Sequence, residues 1–344
     1  MRRRVVFAAA ALAAALLTAP APVGAADSPP AVREWYQARG TPQRDGRSPF
    51  APLRAEPAVA WRVALPGPVA GEPVTWGGMV YVPVQDGAYV HLNVHHARTG
   101  DLVTSRRLEK GDWAHLATWQ GTVIVAQDGI LRGFPLKDGS LGSGWRKKGD
   151  FKGAPCVAEG IVLMRDGSQV EMFDARTGRG YGGATWVPRG EKAEDHDAYG
   201  MLAVRRLGGE YVAAGAHRTK ADKLLRVHVL RLDDLTGRKP GFGPLVVHDT
   251  VPVSEVPGEA ALRDLIFGWI GDTAEGSWLL TARAQSGWSG TLAVHPTEAR
   301  YRTAADIRTP PATTGGAAYG FGIDKTLYRL GADHPLRRER PQAA

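Results

Sequence analysis

One phrase recurs three times in this chain, and it restricts the fold more than any other feature. It reads Gly78-Met-Val-Tyr-Val-Pro-Val-Gln-Asp86-Gly87, followed by Thr99-Gly100. It returns as Gly121-Thr-Val-Ile-Val-Ala-Gln-Asp128-Gly129 with Asp138-Gly139, and again as Gly160-Ile-Val-Leu-Met-Arg-Asp166-Gly167 with Thr177-Gly178. The closing glycines Gly100, Gly139 and Gly178 are evenly spaced. A fixed period of about 40, built from short strands and tight turns, predicts a radially repeated all-β protein.

Within each unit the residues alternate. Val80, Val82 and Val84 share one parity, as do Val123 with Val125 and Val162 with Met164. Period-two patterning with β-branched residues predicts strands. The Asp-Gly pairs at 86–87, 128–129 and 166–167 fall where a two-residue hairpin loop requires positive φ. The Gly pairs at 99–100, 138–139 and 177–178 then close the next hairpin. Trp145 and Trp186 follow Gly139 and Gly178 and are expected to pack between neighbouring units, where an indole buries much area. Pro73 and Pro155 each stand shortly before a unit's first glycine, which suits a strand start or edge.

The period loosens after Trp186. Thr236-Gly237 arrives roughly half a period later than the repeat requires, so a segment is inserted. The polar run Glu191–Ala198 is the expected place. Ile266–Ile270, Ser277–Ala282, Gly290–His295 and Gly320–Leu330 read as strands of further units. Dividing 55–335 by the period gives about seven four-stranded antiparallel blades, with six or eight also compatible. The 43 glycines and 24 prolines are spread along the chain, as a protein with many turns requires.

The ends read differently. Arg2-Arg3-Arg4, an apolar run from Val5 to Leu17, and the small residues Gly24-Ala25-Ala26 predict a cleaved signal peptide over 1–26. A helix of that run spans only about 20 Å against a hydrocarbon core of about 30 Å, so no membrane span is expected. The predicted location is the periplasm or the cell exterior. Residues 27–57 show no period and read as an irregular lead-in, 58–335 as the propeller, and 336–344 as a basic tail. Without the three signal arginines the formal charge falls from +8 to +5, too diffuse an excess to imply nucleic acid. Cys156 is the only cysteine, so an oxidising compartment adds no intrachain disulfide, and its apolar setting predicts a buried, inert thiol.

The quoted residues resemble the pyrroloquinoline-quinone-like, or quinoprotein-type, β-propeller repeat family in its secreted bacterial form. The match rests on Pro73-Val74, Gly78, Val80-Tyr81-Val82, Asp86-Gly87 and Thr99-Gly100, and on Pro155, Gly160, Asp166-Gly167, Phe173-Asp174-Ala175 and Thr177-Gly178. Trp35, Arg39-Gly40, Pro42-Gln43-Arg44 and Gly46 resemble the lead-in to a first blade. The resemblance is close over 60–186 and loose over 187–335. It implies a fold but no single activity. Some members are dehydrogenases holding the quinone and calcium, with paired cysteines on the quinone ring; others resemble the outer-membrane assembly lipoprotein, a binding scaffold.

Candidate chemistry is sparse. Glu194, Asp195, His196 and Asp197, with Glu191, form the densest polar cluster; they can be read as divalent-cation ligands or as a solvated loop. His95-His96 resembles a metal pair, but strand neighbours point to opposite faces. No nucleophile elbow, phosphate loop or His-Glu-x-x-His helix occurs. No catalytic residue and no cofactor are assigned. The expected function is binding of a protein, peptide or glycan. The alternative is a small quinone- or metal-dependent oxidoreductase.

Overall fold

The computed structural model describes residue 37, residues 59–187 except 138–139, residues 190–192, and the strand-bearing segments 196–207, 210–219, 224–236, 240–252, 265–272, 278–284, 289–294, 301–305, 312–314, 317–321, 327–330 and 337–338. The predicted signal segment 1–26, the expected turn at Asp138-Gly139, and Glu194 and Asp195 lie outside the described residues.

Six antiparallel sheets form among the described residues, each in chain order. The first holds β1 (Val74–Trp76), β2 (Met79–Asp86), β3 (Tyr89–His96) and β4 (Leu102–Lys110). The second holds β5 (His115–Trp119), β6 (Thr122–Gln127), β7 (Ile130–Lys137), β8 (Ser140–Leu141) and β9 (Trp145–Lys148), with β8 and β9 both paired to β7. The third holds β10 (Phe151–Ala158), β11 (Ile161–Asp166), β12 (Gln169–Asp174) and β13 (Gly180–Thr185). The fourth holds β14 (His196–Leu207), β15 (Glu210–Thr219), β16 (Leu224–Asp233) and β17 (Gly241–Pro252). The fifth holds β18 (Leu265–Asp272), β19 (Trp278–Ala284), β20 (Ser289–Val294) and β21 (Tyr301–Ala305). The sixth holds β22 (Ala312–Thr314), β23 (Ala317–Phe321), β24 (Leu327–Leu330) and β25 (Arg337–Arg338).

First strands lie beside first strands: β1 next to β5, β5 next to β10, β10 next to β14, and β14 next to β18. Successive sheets are therefore blades set around an axis, and the fold is an all-β propeller of four-stranded antiparallel blades. Arg337 and Arg338, which the sequence places in a basic tail, pair with Arg329 and Tyr328 as the last strand of the sixth sheet.

Burial explains why β6 reads Thr-Val-Ile-Val-Ala-Gln with every residue buried. Val123 and Val125 pack toward blade 1 with Tyr81, Leu92 and Val94, whereas Ile124 and Ala126 pack toward blade 3 with Val157, Val162 and Met164. Both faces of the sheet are covered, so alternation sorts residues between two cores rather than between core and water. A third core joins blades 3 and 4 around Cys156, Leu163, Met172, Trp186, Leu202 and Leu230.

The hairpins match the repeat with one refinement. In blade 2, Gln127 pairs with Ile130, and Asp128-Gly129 form the loop with φ of 46° and 71°. In blades 1 and 3 the aspartates end the strands instead, since Asp86 pairs with Tyr89 and Asp166 with Gln169. There the loops are Gly87-Ala88 and Gly167-Ser168, with the glycine first, the alternative turn whose twist suits a hairpin.

Trp145 and Trp186 pack between blades as expected. The Trp145 Nε1–H donates to Ala175 O at 3.1 Å, and its ring lies against Gly178. Trp61 repeats this on blade 1, two blades earlier, donating to Ala97 O at 2.8 Å with its ring against Gly100. Pro155 lies in a bulge of β10, consistent with a residue that cannot donate to the ladder.

The inserted segment also departs from expectation. His196, Asp197 and Ala198 are not wholly loop; they open β14 and pair with Thr219, Arg218 and His217. The insertion goes into longer strands as well as into loop. In blade 4, β14 and β17 each have 12 residues and β15 and β16 each have 10 residues. In blade 3, β11, β12 and β13 each have 6 residues. Gln37, in the lead-in, is fully buried rather than peripheral. It bridges Ala117 on β5, and its side-chain amide donates to Val157 O and accepts from Val157 N–H at 3.2 and 2.9 Å on β10.

Candidate functional site

One face of the propeller is built from two kinds of connection. The loops between the second and third strands meet the links that lead from one blade to the next. Gly111 N–H donates to Ala88 O, Gly149 N–H to Gly129 O, Gly167 N–H to Asp150 O, and Trp186 N–H to Ser168 O. These bonds tie each loop to the link that enters or leaves its own blade, and so mark out a single rim.

Between blades 1 and 2 the rim carries an exposed indole. The link from β4 to β5 is the tetrapeptide Gly111-Asp112-Trp113-Ala114. Ala114 is buried and its N–H donates to Ala70 O at 2.8 Å. That anchor leaves Trp113 facing outward, 49% exposed. Its Nε1–H donates to His115 Nδ1 at 3.2 Å, and the two rings meet edge to face at 6.0 Å. Asp112 Oδ1 accepts from Gln85 Nε2 at 3.1 Å. Tyr89, also exposed, carries the Arg107 guanidinium over its ring at 4.7 Å on the other face of blade 1, since Val90, Leu92 and Arg106 are the neighbours turned toward blade 2. An indole pinned by its own N–H, with the Asp112 carboxylate beside it in the link, is a preformed surface for stacking and hydrogen bonding.

Between blades 2 and 3 the rim is charged. Asp166 accepts from Asp150 N–H, and Asp150 pairs with Lys152 at 3.2 Å. Burial raises the Glu171 carboxyl above its ordinary range, and the nearby Asp166 charge adds to that, against the opposing Lys147. Glu109 of β4 forms ion pairs across to Arg132 and Arg146 of blade 2.

The residues read as metal candidates are not assembled into a centre among the described residues, where no group of three or more His, Cys, Asp or Glu side chains is placed to hold an ion. His196 and Asp197 are consecutive on β14, where their backbones pair with Thr219 and Arg218. His95 and His96 point to opposite faces of their strand: His95 is buried with Nδ1 2.9 Å from Gly100 O, and His96 is exposed. Cys156 is buried in the core between blades 3 and 4. The paired-cysteine contact that the family resemblance associates with a bound quinone does not fit this chain, whose single thiol is enclosed.

Sequence reasoning missed Trp113, Arg165 and Gln37. Trp113 carried a signal, since Gly111-Asp112 breaks the strand just before it. Arg165 also carried one, as the charge that follows the apolar run Ile161–Met164.

No known protein family matches the chain, and no curated protein matches it. Solved structures do. BamB from Moraxella catarrhalis is 17% identical, with 84% of this chain and 81% of that one covered and a TM-score of 0.49. A europium-containing methanol dehydrogenase is 11% identical, with 86% and 89% covered and a TM-score of 0.48. These similarities are too remote to carry an argument about activity.

Proposed function

We propose that this chain is an exported, non-catalytic propeller whose rim between blades 1 and 2 binds a protein, peptide or glycan partner in the bacterial envelope or outside the cell. Trp113 carries the reading. A half-exposed indole costs solubility, yet here its orientation is held by His115 and its backbone by Ala114. Preorganised aromatic anchors of this kind supply much of the binding energy at recognition surfaces. Export is supported by the arginine-led apolar start, and exported protein should begin at Ala26 or Asp27.

The test compares immobilised wild type with Trp113→Ala in envelope extract and on a glycan array. Trp113→Ala should unfold at the same temperature as wild type. It should lose ligands that wild type retains, by about 30-fold or more for a true anchor. Equal retention by the variant would remove this rim from consideration. Stoichiometric quinone uptake with substrate-dependent dye reduction would replace the binding reading with the oxidoreductase.

A further inference from the structure

One position on the face between blades 3 and 4 departs from its repeats. Five residues beyond the first hairpin glycine, blade 1 has Pro83 and blade 2 has Ala126, both buried. Blade 3 has Arg165 at this place. Alternation along β11 sets Arg165 on the side of Ile161 and Leu163, which pack against blade 4.

Arg165 is only 4% exposed, and its Nε–H finds no hydrogen-bond acceptor. Among the described residues no carboxylate pairs with the guanidinium. Burial alone lowers its pKa to about 10. A buried charge without a counter-ion destabilises a fold, and an apolar residue of similar size would serve packing better. The neighbouring repeats use such apolar residues.

The backbone on both sides is opened as well. Lys152 pairs with Arg165 and Cys156 with Leu163, so residues 153–155 of β10 bulge opposite Met164 alone. In the facing blade, Tyr199 pairs with Ala216 and Ala203 with Ala214, so residues 200–202 of β14 bulge opposite Gly215. Two adjacent innermost strands thus leave regular pairing, and the β10 bulge begins next to Lys152, the partner of Arg165, whose guanidinium lacks a described counter-ion. Bulges of this kind re-aim the chain next to binding sites. Arg165 also lies two residues before the Gly167-Ser168 turn, close to the rim.

We infer that Arg165 is the floor of an oxyanion-binding site between blades 3 and 4, which accepts one carboxylate or phosphate group entering from the rim. The planar guanidinium fork matches either group with two parallel hydrogen bonds. The site is separate from the Trp113 surface and does not depend on the function proposed for it.

Calorimetric titration and thermal unfolding of the wild-type protein test this with inorganic phosphate and with succinate, against chloride at equal ionic strength. At least one of the two anions binds with one-to-one stoichiometry and raises the unfolding temperature. The tighter of the two identifies the ligand class as phosphate or carboxylate. Arg165→Met unfolds at a higher temperature than wild type in chloride and binds the anion at least tenfold more weakly. Arg165→Lys keeps the charge, loses the fork, and binds with intermediate affinity. Absence of binding to wild type, or equal stabilisation of wild type and Arg165→Met by the same anion, overturns the inference. The wild-type titration decides the matter even if a variant fails to fold.

Discussion

At the scale of single residues, the clearest constraint is Asp174, which ends β12 and holds the turn into β13. Its Oδ1 accepts from Arg176 N–H at 3.1 Å, from Thr177 N–H at 2.7 Å and from Thr177 Oγ1–H at 2.7 Å. Partial burial pushes this carboxyl up, but the bonds from Thr177 and Arg176 outweigh it and hold the pKa below the ordinary value. A depressed folded pKa stabilises the native state above the unfolded pKa of about 4, and that contribution disappears as pH falls through the folded value. Asp174→Asn should therefore lower the unfolding temperature at pH 7, with the difference from wild type shrinking toward pH 3. A constant difference across that range would show that the charge plays no part. The Phe173-Asp174-Ala175 and Thr177-Gly178 pattern already marked this turn in the sequence. The three bonds to one oxygen appear only once the chain is folded back on itself.

At the scale of elements, the blades are joined by indoles laid over glycines. A Cβ on Gly178 would come within 2.5 Å of the Trp145 ring, and φ there is 69°. Gly178→Val therefore meets both a steric clash and an unfavourable backbone region, at a combined cost of about 2–4 kcal/mol. Denaturant unfolding should show this as a lower midpoint. The same substitution at Gly87, where a Cβ would meet nothing within 4 Å, should cost less because only the backbone strain remains. Equal losses at the two sites would mean that Trp145 does not define the interface. The sequence announced the glycines by their period and the tryptophans by their placement. Which indole lies on which glycine depends on a contact between distant parts of the chain.

At the scale of the whole molecule, Gln37 links the lead-in to the propeller. Its side chain satisfies both the N–H and the C=O of Val157 inside the structure, while its backbone bridges Ala117. Gln37→Ala leaves two buried backbone groups unpaired, at a cost of about 1–3 kcal/mol each if water does not reach them. Hydrogen exchange at Val157 should accelerate in the variant, and global stability should fall. Unchanged protection would show that the lead-in is dispensable to blades 2 and 3. Nothing in the local sequence around Gln37 signals this role, because its partners lie on two different blades far along the chain.

The sequence by itself determined the all-β repeat, the strand positions over 60–186 and the placement of most hairpins. Those properties depend on local alternation and turn chemistry, which a linear pattern records. It also specified that Cys156 would be enclosed, since an apolar strand leaves a small thiol no other place. The tertiary structure alone decided that β6 is buried on both faces, that Asp86 and Asp166 belong to strands rather than loops, and that His196 and Asp197 open the strand β14. It alone set Trp113 outward and enclosed Arg165 beside the bulge of β10. These outcomes depend on which blade lies beside which, and that proximity joins residues far apart in the chain through packing that no local pattern encodes.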